Sequence, residues 1–271
     1  MKKPYMHKTW LENQYRSLEK STPKIARECD CSQVTIRNWV HKLEILMRSN
    51  SEAQCIAQSN HVSLTSELLE FLNGLLLGDG HLDRYTKRSS SYFDSSKFKG
   101  YLEWLLRKLA EFGIKQSGKI HRRGSSFKGS PKRYVDFHCN SRRYVELERV
   151  WGQWYRSATE KEKEGGRKFI KIVPPDLALT PLTCLMWYLG DGSLHKKWGF
   201  ITLCTECFLA SEVDFLVDRL FELGFKAART ADSRIYISVH SVKGFLEYIK
   251  PCPKEIENIY GYKWGRRFSG E

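Results

Sequence analysis

The chain has 271 residues, 41% of them apolar and 13% aromatic, enough to build a folded core and too much for a disordered tail. Its 45 Lys and Arg outweigh 31 Asp and Glu, and the net charge of +14 points to a polyanionic partner. No apolar run approaches the roughly 20 residues needed to span a bilayer, which argues against a membrane role. No signal-like apolar stretch follows the first residues, and eight scattered cysteines suit an intracellular protein whose thiols stay reduced. Cys204 and Cys207 form one CxxC without a partner pair or a well-placed His, too little to specify zinc.

Residues 1–48 read as a separate all-α unit. Trp10, Leu11, Tyr15 and Leu18 recur at helical spacing and predict a helix over 9–20. Thr22 followed by Pro23 gives a capping oxygen and a proline at the first helical position, so a short helix runs through Ile25 and Ala26 to about Cys29. Asp30 takes the turn, because Asp tolerates a left-handed backbone. Ser32 then caps a third helix with Val34, Ile36, Trp39 and Leu43 inward and Gln33, Thr35, Arg37 and Asn38 outward. This order resembles a helix-turn-helix DNA-binding domain with 32–43 as its recognition helix, which implies that the four outward residues contact DNA. The polar stretch 49–64 reads as a linker.

Beyond it an apolar helical run ending in Gly-Asp-Gly occurs twice, as LLEFLNGLLLGDG over 68–80 and PLTCLMWYLGDG over 181–192. After the first copy come a hairpin over 81–96 turning near Lys87 and Arg88, and an amphipathic helix over 98–112 capped by Gly113. A hairpin over 118–138 turning within 124–131 and a helix over 142–155 follow. After the second copy the order returns: a hairpin over 193–207 around Lys196 and Lys197, a helix over 211–223 with Gly224 behind it, a hairpin over 226–240, and a helix over 242–249. The chain therefore divides into two halves, 65–174 and 175–271, of the same element order.

Asp79 and Asp191 stand where an apolar helix must stop. A helix C-terminus is already electron-rich, so an anion there is unfavourable by up to about 1 kcal/mol unless cations compensate it. Gly74 and Gly78, four residues apart, share one helix face and permit close backbone approach. If the two motif helices pack in parallel, the acids become neighbours, and facing carboxylates repel unless divalent ions sit between them. Hard oxygen ligands favour Mg²⁺, or Mn²⁺ in its place.

On these motifs the chain resembles the single-chain LAGLIDADG homing endonucleases. Residues 72–80 match the nine-residue motif with several changes. The second copy resembles intron-encoded members through Leu179-Thr180-Pro181, Trp187-Tyr188 and Asp191-Gly192-Ser193-Leu194. The resemblance implies an α+β fold, a pseudo-twofold duplication of αββαββα with antiparallel DNA-binding sheets. It also implies a monomeric, metal-dependent nuclease that cuts both strands of a double-stranded DNA site and promotes intron mobility. Asp79 and Asp191, with Gly78 and Gly190, are the implied metal-holding residues. Lys263, and Lys171 with Lys168 as the alternative, are the implied lysines beside the scissile phosphate; Lys97 and Thr205 or Glu206 are candidate water holders. Two departures stand out: Leu77 replaces the motif's first Asp, and Met186 matches Gly74, so the helix packing is not strictly symmetric.

Strands alternate sides, so one face of each sheet packs on helices while the other can meet a major groove. The candidate DNA-contacting residues are Arg84, Thr86, Arg88, Tyr92, Lys119, His121, Arg123 and Arg133 in the first half, and Lys196, Lys197, Arg229 and Arg234 in the second. Two alternatives share the scaffold: an RNA-binding maturase acting on intron RNA, and a non-catalytic DNA-binding regulator, which would lack the two acids.

Overall fold

The computed structural model describes residues 3–58, 60–86, 88–126 and 133–265. The chain forms two compact units, Met1–Ser59 and Asn60–Glu271. None of the described helices is long and apolar enough to cross a membrane.

In the first unit, helix α1 (Lys8–Glu12) runs into a π-turn (Asn13–Ser17), followed by α2 (Thr22–Glu28), α3 (Gln33–Lys42) and α4 (Asn50–Gln58). Leu11, Tyr15, Ile25, Ala26, Ile36, Val40 and Ile45 make its core. Ser32 caps α3 through the Thr35 amide at 3.0 Å, and Asp30 turns the chain at φ 46°, both as the sequence leads one to expect. The cap of α2 falls one residue earlier than expected, at Ser21, which accepts from the Lys24 amide at 3.3 Å. Val34 departs from expectation and is 63% exposed. Ile36 and Val40, one turn apart, fix the inward stripe of α3, and that leaves Val34, Arg37, Asn38 and His41 on the outer face. Residues 50–58, read as linker, are helical.

The second unit repeats one pattern. Its first half runs α5 (Ser66–Leu77), β1 (His81–Thr86), β2 (Ser89–Ser96), α6 (Lys99–Glu111), β3 (Gln116–Ser126), β4 (Arg133–Ser141) and α7 (Val145–Trp154). A short hairpin, β5 (Tyr155–Ser157) with β6 (Phe169–Lys171), encloses α8 (Glu160–Glu164). The second half runs α9 (Pro181–Asp191), β7 (Gly192–His195), β8 (Phe200–Leu203), α10 (Ala210–Glu222), β9 (Ala227–Arg229), β10 (Ile235–Ile237) and α11 (Val239–Tyr248), then α12 (Glu257–Tyr260). Both sheets are antiparallel with the same strand order, β1-β2-β4-β3 and β7-β8-β10-β9. Gly113 and Gly224 follow α6 and α10 at φ 90° and 87°, the left-handed cap that side chains avoid.

Helices α5 and α9 form the seam between the halves. Thr65 and Thr180 cap them through the Leu68 and Thr183 amides, each at 3.2 Å. Their contacts advance together along both helices. Thr180 Oγ1 donates to Glu70 Oε2 at 2.8 Å and Thr183 Oγ1 to the Glu70 carbonyl at 3.1 Å. Gly74 then lies against Thr183 and Met186, and Gly78 against Gly190. The helices are therefore parallel, and their C-termini meet. Asymmetry enters at the second contact, where Gly74 makes room for Met186: a Cβ at Gly74 would come within 2.7 Å of the Met186 Cβ.

Candidate active site

The meeting point of α5 and α9 is backbone against backbone. A Cβ on Gly190 would stand 3.3 Å from both the Gly78 Cα and the Asp79 amide nitrogen, and one on Gly78 would stand 3.8 Å from the Asp191 nitrogen. Side chains here would wedge the helix ends apart; glycines let Asp79 and Asp191 enter one small volume. Asp79 is exposed and Asp191 half-buried, so both reach solvent.

Each helix end is braced by a lysine from its own half. Lys171 Nζ donates to the carbonyls of Gly78 (3.2 Å) and Gly80 (2.9 Å). Lys263 Nζ donates to those of Tyr188 (3.0 Å), Leu189 (2.8 Å) and Gly190 (3.3 Å). Free carbonyls at a helix C-terminus attract cations, which explains why two ammonium groups come to rest there. Lys171 reaches the motif, whereas Lys168 is exposed. Desolvation raises the Asp79 carboxyl, with Lys263 and then Lys171 pulling it back. It raises Asp191 up to about 7, with the Asp79 charge adding and the lysines opposing. Burial likewise lowers Lys171, and lowers Lys263 to about 8, against the pull of the two aspartates on both. The group is thus two acids and two bases held close, each at a cost to its charged form.

The donor set fits a hard divalent cation. Each carboxylate raises repulsion that a dication would relieve, and the Gly78 and Gly190 carbonyls, bonded once at long range by a lysine, keep a second lone pair. Among the described residues no cluster of three or more His, Cys, Asp or Glu offers a softer site. Cys204 lies beside the acids through its amide, which donates to the Asp191 carbonyl at 3.1 Å.

A profile of the LAGLIDADG DNA endonuclease family matches residues 69–245, a span that contains both motifs and both sheets. The chain belongs to this family. An uncharacterized protein of Methanocaldococcus jannaschii is 26% identical over 74% of this chain and 78% of its own length. The cytochrome b mRNA maturase bI2 of Saccharomyces cerevisiae is 24% identical over 66% of this chain, which spans only 42% of the maturase. Among solved structures, the homing endonuclease I-WcaI bound to its DNA recognition sequence superposes with a TM-score of 0.62 at 18% identity, covering 81% of this chain and 95% of that one. That likeness establishes the LAGLIDADG fold.

The sheets divide the candidate DNA-contacting residues of this LAGLIDADG protein into two groups. Lys119, His121 and Arg123 on β3 are exposed, as are Lys196 and Lys197 in the β7–β8 turn, and Arg88 is half-buried at the β1–β2 turn. On the open face of the first sheet, His81, Phe93, His138 and His121 stack across successive strands with centroids 4.4, 5.8 and 5.4 Å apart. Four candidates are held by partners within the protein. Arg84 shares the helix-packed face with Leu82: it pairs with Glu148 at 2.6 Å and lies 4.1 Å over the Trp151 ring. Tyr92 is fully buried on the same face and donates to Asp94 at 2.5 Å. Arg229 is turned to α10 by a 2.6 Å bond to Asp214, and Arg234 is held by Glu206 at 2.5 Å. The side chains of Thr86 and Arg133 lie outside the described residues.

Of the candidate water holders, Lys97 and Glu206 are exposed, while Thr205 is fully buried and donates to the Ser233 carbonyl. In the first unit, Arg37 and Asn38 are exposed; Gln33 is exposed with its amide on Thr22 Oγ1 at 3.2 Å, and Thr35 is drawn into the cap by Ser32 Oγ at 2.8 Å. Asp94 escapes a reading of the sequence altogether, and Tyr188 enters it only as part of the second motif, without its contact to the Lys263 carbonyl. Strand alternation in phase with Leu82 would have turned Tyr92 and Asp94 inward, but nothing in the sequence fixes that phase.

Proposed function

We propose that this chain is a site-specific double-strand DNA endonuclease that hydrolyses one phosphodiester in each strand and promotes intron mobility. The observation that carries the reading is the convergence of Asp79 and Asp191 at a glycine–glycine contact, with one lysine bracing each helix end. Asp79 and Asp191, with the Gly78 and Gly190 carbonyls, would hold Mg²⁺ or Mn²⁺, which supplies activated water and neutralises charge on the phosphate. Lys171 and Lys263 add fixed positive charge where the phosphoryl oxygens gather charge, and Lys263, lowered to about 8, can give up a proton near neutral pH. The basic open faces of the two sheets take the duplex, mostly by phosphate contacts.

The test is incubation with Mg²⁺ of DNA spanning the gene's insertion site, with and without the intervening sequence. Only the uninterrupted DNA is expected to be cut, and Asp79→Asn is expected to remove the cutting. No cleavage in either Mg²⁺ or Mn²⁺, or cleavage that survives Asp79→Asn, would overturn the proposal.

A second reading, assistance to intron RNA splicing, is favoured by the relative named as an mRNA maturase. Stimulated splicing of the precursor RNA without DNA cutting would select it.

The first unit contributes DNA affinity in this proposal, through the outer face of α3. Removing residues 1–59 is expected to weaken target binding about tenfold or more, because several phosphate contacts go with it, while the rate at saturating protein is kept. Unchanged affinity in a titration by fluorescence anisotropy would exclude that role.

A further inference from the structure

Among the described residues, Asp94 is the one buried carboxylate beside the candidate centre that the proposed chemistry leaves unused. It is 1% exposed; one oxygen accepts from the Tyr92 hydroxyl at 2.5 Å, and the other has no hydrogen-bond partner. A half-satisfied carboxyl in an apolar core destabilises the fold, so some other gain must hold it there. Burial pushes it up to about 7, with Tyr92, the Ser95 backbone and His81 opposing and the Asp79 charge adding, which marks its closeness to the first motif.

Its place in the sheet says what it touches. His81 pairs with Phe93, so Asp94 lies across from Gly80, the residue after Asp79. Tyr92 closes the gap: a Cβ on Gly80 would fall 2.5 Å from the Tyr92 oxygen and 2.8 Å from its ring. Gly80 is also gripped by Lys171 on its carbonyl at 2.9 Å, and its amide donates to the Leu75 carbonyl at 3.1 Å. The peptide that carries Asp79 out of α5 thus has three fixed walls, and Asp94 anchors one of them.

The second half is built otherwise. Gly192 pairs with Leu203, so Leu203, fully buried, holds the place of Asp94. Tyr188, from α9 itself, packs on Gly192 and donates to the Lys263 carbonyl at 2.6 Å. One half-site is set by a strand carboxylate, the other by the lysine segment.

We propose that Asp94 is a positioning residue for the Asp79 half alone, holding Tyr92 against Gly80, so that the two strands of a target are not cut equivalently. This rests on the endonuclease reading for its consequence, and on the apo fold for its cause.

The test uses Tyr92→Phe/Asp94→Leu, which removes both partners at once and leaves no orphaned hydroxyl, beside Asp94→Asn, which keeps an acceptor. The double variant is expected to melt at or above the wild-type temperature, since an apolar pair replaces a buried polar one. Amide hydrogen exchange at residues 79–81 should rise about tenfold or more while that at 191–193 stays put. On a plasmid carrying the target, one strand should be cut about 10–100-fold more slowly with the other unchanged, so nicked circles accumulate; Asp94→Asn should behave as wild type. Unchanged exchange at 79–81, exchange rising equally at both motifs, or equal slowing of both strands would overturn the proposal. If the wild-type protein cuts no DNA, the endonuclease reading fails, and the exchange result still decides the role of Asp94.

Discussion

Asp191→Asn is expected to abolish DNA cleavage, by about 10³-fold or more, and at the same time to make the metal-free protein more stable at pH 8. Both effects have one origin. The folded chain holds the Asp191 carboxyl at about 7, chiefly through desolvation and then the charge of Asp79. An unfolded Asp titrates near 4, so folding disfavours the ionised form. The sign follows: the contribution of this group to stability is intact below about pH 4 and is lost as pH rises towards 7. A neutral Asn does not lose it. Three pKa units amount to about 4 kcal/mol as a ceiling, and the half-exposed position lowers that to about 1–2 kcal/mol through solvent screening. Urea unfolding in EDTA should therefore show a gain for the variant at pH 8 and none at pH 4. Burial lowers Lys263 to about 8 and Asp191 pulls it back up, and that attraction is already contained in the net rise of the Asp191 carboxyl, so it is not counted a second time. Adding Mg²⁺ should reverse the order, since a ligand bound only by the folded wild type stabilises it by mass action. A loss of stability at pH 8, or an equal change at both pH values, would mean that neither burial nor the Asp79 charge raises this carboxyl.

Much of this centre is legible in the sequence because backbone geometry alone dictates it. Gly74, Gly78 and Gly190 are small where two helices must touch, and Gly113 and Gly224 adopt the left-handed cap their position after an amphipathic helix implies. Asp30 and Ser32 declare a turn and a cap by their own short side chains. The open faces of the sheets are harder. Alternation says that neighbours in a strand face opposite ways but not which set faces inward, and a charged residue is assigned to solvent by default. Arg84 breaks that default because its planar guanidinium can lie on Trp151 and pair with Glu148 at once. Tyr92 and Arg229 are misassigned for the same reason: each has a partner, Asp94 or Asp214, that only the tertiary fold supplies. Val34 errs the other way, an apolar residue left outside because Ile36 and Val40 already set the inward stripe. Local chemistry is written in the sequence; pairing across elements waits for the register.

Gly74→Ala is expected to be the most destabilising single methyl that can be added to the helix seam, by about 3 kcal/mol. The new Cβ would clash with the Thr183 carbonyl oxygen and stand 2.7 Å from the Met186 Cβ, and neither atom belongs to the flexible end of a side chain. Relief requires α5 and α9 to move apart, which also loosens Glu70 from Thr180 and Thr183. Gly190→Ala meets backbone at 3.3 Å and needs a shift of only a few tenths of an ångström, while Gly78→Ala meets the Gly190 Cα at an ordinary 3.5 Å. Stability in urea should therefore fall in the order Gly78→Ala, Gly190→Ala, Gly74→Ala. Activity should follow a different order, because Gly190→Ala pushes directly on the Asp79 amide and displaces the acid it carries. Met186→Gly should restore Gly74→Ala only in part: it frees the Cβ contact but leaves the Thr183 oxygen, which is backbone and stays. Equal stability of the Gly74 and Gly78 variants would mean that the helices do not cross at Gly74, and the convergence of Asp79 with Asp191 would lose its cause.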